Sequence, residues 1–139
     1  MKTRFTPLVK LKKSTMQKSE QHLQKANGNL NNAKTALDSS YDFLQNIEIP
    51  KSGSMSDMFA SRAFLDSQRD IINHNKKWVE FAQNEVNKAK MQLKRDMMEH
   101  EKFQYLELQE IKQELKKIRL KESKELDEIA LMTNNWKIR

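Results

Sequence analysis

The chain has 139 residues, only 2 glycines and 2 prolines, and a charged fraction of 32%, which excludes a sheet protein with many turns. A hydrophobic content of 37% is too low for a multilayer core but suits a two-helix seam, where about two positions in seven are buried. The absence of cysteine excludes disulfides and thiolate chemistry and fits a reducing cytoplasm, while the net charge of +7 suits an acidic partner, nucleic acid or an anionic membrane surface.

Met1-Lys2-Thr3-Arg4-Phe5 lacks the apolar core of a signal peptide, and no run is long and apolar enough to span a membrane. The predicted architecture is all-α: one domain over 1–139, a two-helix antiparallel coiled-coil hairpin whose second helix is much longer. Helix one is predicted over about 7–48, a turn over 49–56, and helix two over about 57–133.

Thr6-Pro7 reads as a helix start, with Thr as N-cap and Pro in the first helical position. One heptad column of helix one is Val9, Met16, Leu23, Leu30, Leu37 and Leu44. The other is Lys12, Ser19, Ala26, Ala33, Ser40 and Ile47, mostly small. Gly28 falls on the outermost face, so it weakens the helix without interrupting the seam.

The stretch Ile49-Pro50-Lys51-Ser52-Gly53-Ser54-Met55-Ser56 must break the helix. Pro50 removes a backbone donor and turns Ile49 from helical geometry; Gly53 readily takes positive φ; Ser54 or Ser56 can cap the next helix.

In helix two the large column is Leu65, Ile72, Val79, Val86 and Leu93, and the other is Ser61, Gln68, Asn75, Ala82 and Ala89. Folding the chain at residues 52–53 pairs positions whose numbers sum to about 105, which sets large against small in nearly every layer. Leu23 then meets Ala82, Ala26 meets Val79, and Leu30 meets Asn75 as a polar intrusion that fixes register. A slip of one heptad is the alternative register.

Helix one's partner then runs out near residue 98. The apolar pattern changes phase around Met97–Gln104 and continues with Leu108, Ile111, Leu115 and Ile118, then Ile129 and Met132, interrupted by Glu122 and Glu125. Lys121–Glu125 and Lys124–Glu128 are i,i+4 pairs, and Asn134-Asn135 is the expected end. Helix one would be roughly 60 Å long and helix two roughly 120 Å. An apolar stripe without an intrachain partner implies another chain.

The flanks of the hairpin differ. Phe64, Ile71 and Trp78 on helix two face the same side as Phe43, Ala36 and Asn29 on helix one, an apolar strip wider than a seam requires and a partner-docking face. The opposite flank is basic: Lys34 and Tyr41 face Arg62, Arg69 and Lys76, a column able to contact phosphates but without interleaved aromatics. His22, His74 and His100 are too dispersed for a metal site. No paired carboxylates, phosphate-cradling glycine loop or nucleophile–base pair occurs, so neither an enzyme nor a cofactor is expected.

Arg4-Phe5 followed by Leu8-Val9-Lys10-Leu11-Lys12 resembles the opening of the FliJ family, the small coiled-coil component of the flagellar type III export apparatus. Lys124-Glu125-Leu126-Asp127-Glu128-Ile129-Ala130, before the tail Trp136-Lys137-Ile138-Arg139, resembles that family's C-terminal stretch. The resemblance implies a cytoplasmic stalk, peripheral to the inner membrane, that couples ATP hydrolysis to protein export. Its implied partners are the hexameric export ATPase, the cytoplasmic domain of the export gate, and export chaperones. On this chain the ATPase contact would fall on Leu108, Ile111, Leu115, Ile118, Ile129 and Met132. The gate contact would fall on Ala36, Phe43, Phe64, Ile71 and Trp78. Two other readings of the residues are a prefoldin-like holdase gripping clients with its coil tip, and a nucleic-acid-binding arm on the basic flank. Self-association through the unpaired half of helix two is a further expectation.

Overall fold

The structure, a computed structural model, describes residues 2–48 and 53–138, with side chains through residue 135. Two helices carry almost all of it: α1, Thr6–Gln45, and α2, Met55–Ile138, packed against each other, the second much the longer. The break expected at Ile49, Pro50, Lys51 and Ser52, and the tail's Arg139 with the side chains of Trp136, Lys137 and Ile138, lie outside the described residues.

The helix ends are set by local hydrogen bonds. Thr6 is the first helical residue rather than the cap. The Val9 amide donates to the Phe5 carbonyl at 2.8 Å, so Phe5 holds the cap position. Thr3 closes the turn before it: its hydroxyl accepts from the Phe5 amide at 3.1 Å, and its own amide donates to Thr6 Oγ1 at 2.9 Å. Pro7 still falls in the first turn, where its missing donor costs nothing. At the start of α2 the capping residue is Ser54. The Asp57 amide donates to Ser54 Oγ and the Ser54 amide donates to Asp57 Oδ2, both at 3.3 Å, a reciprocal box that satisfies two orphan donors.

Gly53 does not take positive φ, correcting the expectation from sequence. It leaves room instead: a Cβ there would sit 3.2 Å from Asp57 Oδ2, the oxygen that closes the box. Gly28 has no such duty, since a Cβ at that position meets nothing within 4 Å. Gly28→Ala is therefore expected to stabilise the fold by about 1 kcal/mol, read as a higher denaturant midpoint with an unchanged slope. Nor does α2 end at Asn134-Asn135; it continues to Ile138. Asparagine is only mildly unfavourable inside a helix, and no proline follows it.

The chain divides into two compact units, Gln17–Arg95 and Met1–Met16 with Asp96–Arg139. In the first, the core consists of Ala26, Leu30 and Ala33 from α1 and Ala82, Val86 and Ala89 from α2, with Leu23 and Val79 packed against it. These two sets match when paired numbers sum to about 112, one heptad beyond the fold-back expected. Leu30 then lies across from Ala82 and Ala26 from Val86, so large still meets small. The deciding contact is polar. Asn75 does not face Leu30; its Nδ2 donates to Ser40 Oγ at 2.6 Å and to the Ala36 carbonyl at 3.3 Å. Against Leu30 that buried amide would have no partner, a cost of about 1–3 kcal/mol that this register avoids.

In the second unit the seam keeps the heptad phase of α2 instead of shifting. Its positions include the buried His100, with Phe103 and Glu110 half-buried, whereas Leu108 is exposed. Two acidic residues of this stretch have cations from the N-terminal stretch beside them. Arg4 Nε lies 3.5 Å from Glu110 Oε2, and Lys12 Nζ lies 3.8 Å from Glu99 Oε2 and 5.6 Å from the Phe103 ring centroid. Phe5 packs on Phe103 with centroids 6.5 Å apart. Pairing thus reaches about residue 110, not 98. Every residue from 112 to 135 is exposed, and these form the unpartnered part of α2.

Candidate docking faces

The first face lies on the Gln17–Arg95 unit. Phe43 and Phe64 meet edge to face, centroids 6.3 Å apart, yet 52% of Phe43 and 45% of Phe64 stay exposed. Ile71 and Trp78 continue the strip along α2, both substantially exposed, and Ala36 is half-buried beneath it. All five residues of the expected docking strip therefore occupy one flank of the seam. Trp78 also lines a groove of about 500 Å³ with Ala26, Ala82 and Phe81, rimmed by Lys25 and Glu85.

Phe81 was not singled out in the sequence, though it is 63% exposed. Its signal was available: it stands three residues after Trp78, one step further round the same helix face. Met55, Met58 and Phe59 were missed as well. They sit in the first turns of α2, and every described residue from 53 to 60 is exposed because α1 has already ended at Gln45. Their i, i+3, i+4 spacing is a helical signature; Met55 had been assigned to the turn, and Met58 and Phe59 to the start of helix two.

On the opposite flank Lys34, Arg62, Arg69 and Lys76 are all exposed. Lys76 Nζ lies 5.8 Å from the centroid of Tyr41, and Arg69 pairs with Asp66 on its own helix at 3.8 Å. The basic column is thus partly engaged within the chain.

The second face is the end of α2. Leu108 and Ile111 line a groove of about 300 Å³ with Val9, Gln104 and Glu107. Leu115, Ile118, Ile129 and Met132 lie beyond α1's reach and are exposed. The expected ATPase-contact set is therefore divided: two residues beside α1 and four on the bare helix. Among the described residues neither Lys121–Glu125 nor Lys124–Glu128 forms an ion pair, whereas Lys117–Glu114 does at 3.9 Å. Fully solvated lysines gain too little from such pairing to give up their rotamer freedom.

No group of acidic, histidine or cysteine side chains among the described residues could hold a metal ion, and no described helix is long and apolar enough to cross a membrane. What remains is two helices with two apolar faces, and residues 1–137 match the family described as Flagellar FliJ protein. The chain belongs to the flagellar FliJ family. No curated protein and no solved structure matches it. As a FliJ-family chain it is a coiled-coil component related to flagellar export, from a family of non-catalytic proteins.

Proposed function

We propose that this FliJ-family chain is the stalk of the flagellar export apparatus. It works in the cytoplasm, peripheral to the inner membrane. The end of α2 enters the hexameric export ATPase, and the Phe43, Phe64, Ile71, Trp78 flank docks on the cytoplasmic domain of the export gate. Export chaperones are further partners of the same helices. Coupling follows from one chain carrying both contacts, so that rearrangement of the ring acts on a protein already seated on the gate.

The observation that carries this reading is the bare stretch 112–135, a continuous helix with Leu115, Ile118, Ile129 and Met132 exposed. A helix belonging to a longer one pays no nucleation cost, so it can enter a ring already formed. The cut that tests it falls after Ile111, because a cut after Lys102 would also remove Phe103 and Glu110 from the seam. Loss of ATPase binding and activation, with the melting transition retained, is the expected outcome. Full activation by the shortened chain would end the stalk reading.

A further inference from the structure

We propose that the stretch 112–135 also pairs antiparallel with the same stretch of a second copy, forming a two-fold symmetric coil. The argument starts from the order of its charges. Residues 112–121 hold five cations, Lys112, Lys116, Lys117, Arg119 and Lys121, against Glu114. Residues 122–128 hold four acids, Glu122, Glu125, Asp127 and Glu128, against Lys124. The bare helix is thus positive along its first part and negative along the next. A parallel partner would set like against like over the whole length. An antiparallel one centred between Glu122 and Glu125 brings Arg119 and Lys121 of each copy beside Asp127 and Glu128 of the other.

The apolar positions select the same arrangement. Leu115, Ile118, Glu122, Glu125, Ile129 and Met132 stand at the a and d positions of one heptad frame. An antiparallel partner centred between Glu122 and Glu125 puts Leu115 opposite Met132 of the second copy and Ile118 opposite its Ile129. Lys121 and Glu128 both fall at g positions, which meet each other across an antiparallel seam. Lys121 of each copy therefore approaches Glu128 of the other, twice by symmetry. Neither side chain has an ion-pair partner within its own chain among the described residues. The middle layer sets Glu122 against Glu125 of the second copy, which weakens the pair and makes it reversible.

This pairing does not rest on the ring reading and is tested on the full chain alone. Sedimentation equilibrium should give, with rising concentration, a species of twice the 16.5 kDa of one chain. Lys121→Glu and Glu128→Lys should each weaken association on the order of tenfold or more, since each turns two attractions into repulsions. The double variant K121E/E128K should restore it. Orientation can be read with introduced thiols, as the chain has no cysteine. Ile118→Cys mixed with Ile129→Cys should form the crossed disulfide in preference to either like pair. A monomer at every concentration, no recovery in the double variant, or a preference for like pairs would each overturn the proposal.

Discussion

Val86→Asp is expected to unfold the Gln17–Arg95 unit. Val86 is 1% exposed and lies among Ala26, Leu30, Ala33, Ala82 and Ala89, none of which offers a polar side-chain atom. A carboxylate there would be buried without a partner, a loss on the order of 3–5 kcal/mol. Domains of this size hold about 5–15 kcal/mol in total, and a two-helix seam belongs at the low end. Circular dichroism should show a melting transition displaced far downward or absent. Val86→Asn, uncharged and of similar volume, should fall between Val86→Asp and the native chain. A native-like melt for Val86→Asp would mean that this core does not hold the helices together.

Joint replacement of Phe64 and Trp78 by alanine is expected to leave the helices intact and remove binding to the gate's cytoplasmic domain. Both side chains are partly solvated and lie outside the Ala26–Ala33 and Ala82–Ala89 core, so the helices keep their seam, and alanine favours a helix more than either aromatic does. At an interface the balance reverses, because a central aromatic anchor contributes about 2 kcal/mol or more. Two such losses weaken binding roughly a hundredfold to a thousandfold, which titration calorimetry would resolve. Unchanged affinity would remove this flank as the docking face. Arg62→Ala with Arg69→Ala is the control on the opposite flank, where little change is expected.

The hairpin was legible from the sequence because a single breaker interrupts two long heptad patterns. Large and small columns alternate in both helices, and this fixed which faces meet. It did not fix the register, because a shift of one heptad also sets Leu against Ala. A single polar group decides between the two, and Asn75 finds Ser40 only in the shifted one. The same error carried to the other end. Pairing was expected to stop near residue 98 because a fold-back at 52–53 sets the start of helix one opposite it, and a register one heptad longer moves that limit outward. Arg4, just before α1, and Lys12 lie beside Glu110 and Glu99 there, and heptad counting on one helix does not register charges on the other. The placement of Phe43, Phe64, Ile71 and Trp78 on one flank was legible because the residues share columns. Met55, Met58 and Phe59 were not, since where α2 rises above the end of α1 depends on that same register.

The seam of the Met1–Met16 and Asp96–Arg139 unit also determines which hydrogen bonds open first. His100 Nε2 and Glu110 Oε2 are buried without a hydrogen-bond partner in the protein; Arg4 approaches the latter without hydrogen-bond geometry and is itself largely solvated. Each such atom costs about 1–3 kcal/mol that the Asn75 amide, bonded to Ser40 and Ala36, does not. The first residues of α1 therefore detach from α2 at less cost than the Ala26–Ala33 stretch does. In amide exchange, protection within the paired helices should be lower for residues 9–14 of α1 than around Leu30 and Val86, with that difference absent if the chain opens all at once. The end of the hairpin that meets the bare helix is thus also where the protein breathes.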